Sequence, residues 1–194
     1  MALDRTYFAA AFHGPSVALP IDLYVLEYPG YGPRKGEPSE RTLVQAAVEA
    51  LDALASRGPT PIWVLGESIG SGVACQLAAA RPGRVAGLVL VTPMDRLASV
   101  QRHHYPWIPG LLLRDRYDSE AALRGFSGPV AFLVAGRDEV VPAALGLRLH
   151  GGFGGRKRLW VESEAGHNTL DYRPGRPLWG ELIAFLAGRS SGGA

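Results

Sequence analysis

A chain of 194 residues can enclose one hydrophobic core but is too short for two ordinary domains. Its 20 basic and 18 acidic side chains leave a net charge of +2, with the signs interspersed, so overall charge makes no case for nucleic acid or an anionic membrane as partner. The single cysteine, Cys75, excludes an internal disulfide, and no apolar run approaches the ~20 residues that span a bilayer. The first twenty residues include Asp4, Arg5 and His13 and lack a basic start followed by an apolar stretch. That is not the pattern of a signal peptide, so a soluble, cytoplasmic protein is expected.

In chain order, short apolar runs alternate with segments of helical period. Strands are expected at 7–12, 23–27, 61–65, 85–91, 130–135 and 159–161, most of them continuously apolar, as suits a parallel sheet covered on both faces. The clearest helix spans 39–57, where Leu43, Ala46, Ala47, Ala50, Leu51 and Leu54 form one stripe. Ser39 caps its start, and Gly58-Pro59 stops it. A second helix is expected at 68–81, ending before Pro82-Gly83, with later ones at 120–123, 143–149 and 179–186. Strands alternating with helices give βαβ units and a mostly parallel sheet, with the chemistry at the carboxyl ends of the strands. Only about eight residues join the first two strands, where a parallel crossover needs a dozen or more. The first strand is therefore antiparallel, displaced, or joined without a helix. Cys75, inside the second helix, is read as core packing.

Gly66-Glu67-Ser68-Ile69-Gly70 fits G-x-S-x-G. Three fixed positions recur by chance among 25 glycines, but this match directly follows a strand and directly opens a helix, the setting of a nucleophile elbow. Small residues two before and two after Ser68 are expected to let strand and helix approach. The plain alternative is a glycine-rich turn with a capping serine. A serine hydroxyl needs a base to become nucleophilic, and histidine has the right basicity. Among His13, His103, His104, His150 and His167, the last follows a strand at the same sheet edge as Ser68. His103 and His104 lie in what reads as a proline-containing loop, and His150 ends a helix. The base in turn needs a carboxylate to orient it. Asp138 leaves the 130–135 strand at its carboxyl end, with Glu139, Glu162 and Glu164 as rivals and helix capping as its bland role. The order Ser68, Asp138, His167 is that of an α/β-hydrolase triad.

With these pieces in order, the chain resembles the α/β-hydrolase superfamily, most closely its small-lid serine esterases and acyl-protein thioesterase-like proteins. The matching segments are His13-Gly14, Tyr28-Pro29-Gly30-Tyr31-Gly32, Gly36-Glu37-Pro38-Ser39-Glu40, Gly66–Gly72, Thr92-Pro93, Gly136–Pro142 and Gly166-His167-Asn168. The resemblance implies an α/β-hydrolase fold: a mostly parallel sheet of about six strands flanked by helices, N-terminally trimmed, in a single domain over 1–194. It implies a serine hydrolase acting on carboxylic esters, a small-molecule substrate, and neither metal nor cofactor. Motifs that would call for one, such as CxxC, HExxH or GxxxxGK[ST], are missing from the chain. Thioesters, amides and lactones suit the same triad, and a catalytically weak hydrolase-like binding protein is the reading outside enzymes.

The chain departs from the family pattern in two places. The developing oxyanion should meet the backbone N–H of Ile69 and a second donor from the loop holding His13 and Gly14. The residue after that pair is Pro15, which has no N–H, so Ser16 is the substitute donor. The family also carries further strands ahead of the His-Gly strand; without them an exposed sheet edge is left for a homodimer partner to cover. Finally, residues 94–118 form an insert containing His103-His104-Tyr105-Pro106-Trp107-Ile108-Pro109-Gly110-Leu111-Leu112-Leu113. Its apolar, proline-stiffened character reads as a small lid over a short or medium acyl group.

Overall fold

Four of the apolar runs become strands, and helices fall between them. The computed structural model describes residues 20–189. In chain order the elements are α1 (Glu40–Ala55), β1 (Trp63–Glu67), α2 (Ile69–Ala80), β2 (Gly87–Val91), α3 (Leu97–His104), α4 (Ser119–Leu123), β3 (Val130–Ala135), α5 (Ala143–Gly152), β4 (Lys157–Glu162) and α6 (Pro177–Leu186), with a single 3-10 turn at Gly110–Leu112. The strand expected at 7–12, the residues His13, Gly14, Pro15 and Ser16, and the 190–194 tail lie outside the described residues.

The sheet runs β1-β2-β3-β4, every pair parallel, with Trp63 opposite Gly87, Leu88 opposite Val130 and Val130 opposite Lys157. β2 and β3 are buried along their whole length, as their unbroken apolar sequences require. The two-residue period then sorts their side chains. Leu88, Leu90, Val130 and Phe132 join one layer with α1, α2, α4 and α5. Val89, Val91, Ala131, Leu133 and Ala135 join the other, which α6 covers with Leu178, Trp179, Leu182 and Ile183. Cys75 is buried in the first layer, and burial raises its thiol pKa to about 12. It is therefore packing rather than a reactive thiol.

Local signals set the element ends. The Ser39 hydroxyl accepts from Thr42 N at 3.2 Å while Ser39 N donates to the Thr42 hydroxyl at 3.0 Å, closing a capping box at the start of α1. Asp118 caps α4 through Ala121 N at 3.0 Å, and Pro177 opens α6 at a position where its missing N–H costs nothing.

Two expectations need correction. Residues 23–27 form no strand: the segment is extended but makes no ladder with the described residues. Its side chains still alternate between layers, Ile21 and Leu23 packing on the α6 side and Leu26 and Tyr28 on the α1–α2 side. A strand is defined by its neighbour's hydrogen bonds, and the neighbour expected for this one, at 7–12, is not among the described residues. The described sheet thus has four strands. Second, His103 and His104 sit at the end of helix α3, not in a loop. None of that helix is fully buried; only Leu97 and Val100 pack against the core, too short a stripe to announce it.

Candidate active site

Because all four strands are parallel, the loops after Glu67, Val91, Ala135 and Glu162 gather at one edge of the sheet. Ser68 stands between β1 and α2 with φ 54° and ψ −122°, a conformation that non-glycine residues rarely hold. It is held there by backbone bonds: Ser68 N donates to Val91 O at 3.0 Å, and Ser71 donates to Ser68 O from its N–H and, at 2.6 Å, from its hydroxyl. The glycines flanking the elbow do unequal work. A Cβ on Gly66 would lie 2.2 Å from Gly70 O and 2.8 Å from Ser71 Cα, so only glycine lets strand and helix meet. A Cβ on Gly70 would meet only the Tyr28 hydroxyl, at an ordinary 3.7 Å. The expected need for a small residue two after Ser68 is therefore not imposed by its described surroundings. Gly72 does carry such a need, since the Tyr117 ring packs within 2.9 Å of where its Cβ would be.

Asp138 and His167 are brought together. The His167 Nδ1 lies 2.8 Å from Asp138 Oδ2 and 3.0 Å from Oδ1. The Asp138 side chain is 1% exposed, and its Oδ1 also accepts from Val140 N at 2.9 Å and Val141 N at 2.7 Å. A buried carboxylate fixed by two backbone donors presents one stable acceptor surface to the imidazole. With Nδ1 so engaged, Nε2 is the ring nitrogen left to exchange a proton. Among the described residues no hydrogen bond joins the Ser68 hydroxyl to His167; the two share the sheet edge. Ile69, the other described candidate, is the first residue of α2, with its side chain against the core. Of the rivals, Glu162 accepts from Arg176 at 2.7 Å and Glu164 pairs with Arg137, so neither competes for the imidazole.

Three supporting contacts were not read from the sequence, although Gly136 itself opens one of the matching segments. Gly136 allows the loops after β3 and β4 to touch: its Cβ would fall 2.5 Å from Ser163 O, and Gly136 N and Arg137 N donate to Glu162 O and Ala165 O, each at 2.8 Å. A glycine directly after an apolar strand was the available signal. Tyr172, beyond His167, donates its hydroxyl to Glu67 Oε1 at 2.8 Å and stacks on Trp179 with ring centroids 5.5 Å apart. This ties the histidine segment to the residue before the nucleophile across 105 positions, a separation at which nothing local could signal the pairing. His104 Nε2 lies 2.8 Å from Val140 O, joining the end of α3 to the loop that orients Asp138. No group of three or more His, Cys, Asp or Glu side chains among the described residues is arranged to hold a metal ion.

With this geometry in view, comparison with known proteins becomes informative. The family model described as "alpha/beta hydrolase fold" matches residues 17–116. The chain belongs to the α/β-hydrolase fold family. The uncharacterized protein Rv2307c of Mycobacterium tuberculosis is 37% identical to this α/β-hydrolase over 186 residues, 94% of this chain and 64% of the relative. Lysophosphatidylserine lipase ABHD12 of Danio rerio is 30% identical over 142 residues, 64% of this chain and 37% of that protein. The chain thus spans less than two thirds of the length of these relatives. Among solved structures, the monoacylglycerol lipase of Paleococcus ferrophilus superposes with a TM-score of 0.60 at 19% identity, covering 84% of this chain and 82% of its own. An esterase of Exiguobacterium antarcticum gives 0.61 at 19% identity, covering 83% and 80%. At these identities the structures speak to the α/β-hydrolase fold alone.

Proposed function

We propose that this α/β-hydrolase is a serine hydrolase that cleaves carboxylic esters of short to medium acyl chains through an acyl-Ser68 intermediate. The observation that carries the reading is the Asp138–His167 pair, at 2.8 and 3.0 Å, on the sheet edge where Ser68 is held in a strained turn.

In this scheme His167 Nε2 takes the proton from Ser68 as the hydroxyl oxygen attacks the ester carbonyl carbon. The carbonyl oxygen becomes an oxyanion and receives the Ile69 N–H; Ser16 is the proposed second donor, because Pro15 has none. Asp138 holds the imidazole in the required tautomer and stabilises its protonated form. The alcohol then leaves with the proton from His167. Water, deprotonated by the same nitrogen, attacks the acyl carbon, releases the acid and restores Ser68. Neither metal nor cofactor is needed. The Ser68–His167 hydrogen bond closes around substrate, as such bonds often tighten only in the bound complex. Relatives and similar folds named as lipases or an esterase support an ester substrate. The small size of the 94–118 insert supports a short or medium acyl group.

A panel of p-nitrophenyl esters, acyl thioesters and aminoacyl amides tests this on wild type, Ser68→Ala and His167→Ala. Short acyl esters should turn over fastest, and each variant should lose about 10⁴-fold or more. Fastest turnover of long-chain thioesters overturns the ester and acyl-length assignment; full activity in Ser68→Ala overturns the nucleophile.

A further inference from the structure

A net charge of +2 conceals an uneven surface. Between Arg96 and Arg114 the chain reads RLASVQRHHYPWIPGLLLR, with three arginines, two histidines and not one carboxylate. Leu97 and Val100 pack half-buried against the core, but from Tyr105 to Leu112 the apolar side chains do not fold inward: Leu111 is 81% exposed, Trp107 74% and Leu112 65%, with Tyr105 and Ile108 exposed beside them. Neither α3 nor the 3-10 turn at Gly110–Leu112 buries a single residue. A contiguous apolar patch left in water marks an interaction surface.

Charge decides what that surface meets. Arg102, Arg114 and Arg116 are exposed, and none of their guanidinium groups forms an ion pair among the described residues, although the Arg116 backbone N–H donates to Glu40 Oε2 at 2.7 Å. The nearby acids are occupied. Asp95 is buried and bridged to Arg148 at 2.8 Å, Asp115 accepts from Glu40 N at 3.0 Å, and Asp118 caps α4. Arg114 follows directly on Leu111–Leu113, and Arg116 comes two residues later, past Asp115, so cations border the apolar residues. Tryptophan, tyrosine and leucine flanked by unpaired arginines is the composition of a segment that lies in a lipid interface, its apolar side chains among the upper acyl chains and its cations at the phosphates.

We propose that residues 102–116 dock this protein on anionic lipid bilayers, Trp107, Leu111 and Leu112 entering the interface and Arg102, Arg114 and Arg116 engaging the headgroup phosphates. Docking does not depend on the ester-hydrolase reading. Through the His104–Val140 contact, it would seat the Asp138 loop next to the membrane surface.

The test is co-sedimentation of the whole protein with vesicles of phosphatidylcholine alone or mixed with phosphatidylglycerol, at low and high ionic strength. Because the substituted residues contribute nothing to the core, Leu111→Asp/Leu112→Asp and Arg102→Glu/Arg114→Glu should fold like wild type, which circular dichroism checks. Wild type should bind the mixed vesicles at least about tenfold better than the neutral ones, since each basic residue adds roughly fivefold near an anionic surface. Both double variants should lose that binding, and high salt should weaken it. Equal binding to both vesicle types, or sedimentation unchanged in either variant, overturns the proposal. So does wild-type dimerisation without vesicle binding that Leu111→Asp/Leu112→Asp abolishes, which would make the patch a contact between copies.

Discussion

The carboxyl edge of the sheet and the insert beyond β2 are opposite kinds of surface. At the edge, close backbone contacts leave little freedom: Gly66 and Gly136 sit where any Cβ would strike a carbonyl oxygen, and Ser68 is held at φ 54°. The insert carries Trp107, Leu111 and Leu112 into solvent, and along α3 only the half-buried Leu97 and Val100 reach the core. The contrast shows where geometry is bought with packing: the edge is fixed by close backbone contacts, whereas the insert leaves its apolar side chains accessible.

Substitutions can break or sharpen this contrast. The largest effect is expected from Asp138→Asn, which keeps the shape but reverses the hydrogen-bonding demand on His167; kcat should fall about 10⁴-fold with little change in melting temperature. Equal losses of stability and activity would mean that Asp138 acts through folding. Next comes the elbow. Gly66→Ala should cost about 3 kcal/mol or more by overpacking, read by urea denaturation. Gly70→Ala should be neutral or stabilising by roughly 0.5 kcal/mol, since its Cβ finds room and the helix gains propensity. Smaller still is the effect of pH at His150, whose ring edge packs on Phe132 at 5.2 Å. Burial first, and Lys157 second, holds its pKa below the ordinary 6.5. The unfolded chain binds that proton more readily, so the contribution is present above 6.5 and lost as pH falls through the lowered value. His150→Gln should flatten the acid limb of stability; an unchanged limb would exclude this residue as its source. In the insert, Trp107→Ala should change stability by no more than about 0.5 kcal/mol.

The sequence carried these two regions unequally. The 130–135 strand was legible to the residue because it is an unbroken apolar run buried on both faces, and Ser39 marked the start of α1 as a capping residue. The Asp138–His167 contact was legible because both residues leave apolar strands at the same edge of the sheet. What escaped had no local signature. α3 packs only Leu97 and Val100 on the core, and those only in part; the 23–27 segment alternates like a strand without a ladder among the described residues; and the Tyr172–Glu67 bond joins positions too far apart for any motif. Net charge was misleading in its own way, since balance over the whole chain hides an acid-free stretch of the insert.

The central claim is that the hydroxyl of residue 68 is chemically activated. Intact-mass analysis after exposure to a fluorophosphonate probe tests it most directly. A single adduct should form on folded wild type, map to Ser68 and vanish in both Ser68→Ala and His167→Ala. Folded wild type that stays unmodified, or an adduct that persists in Ser68→Ala, would contradict it.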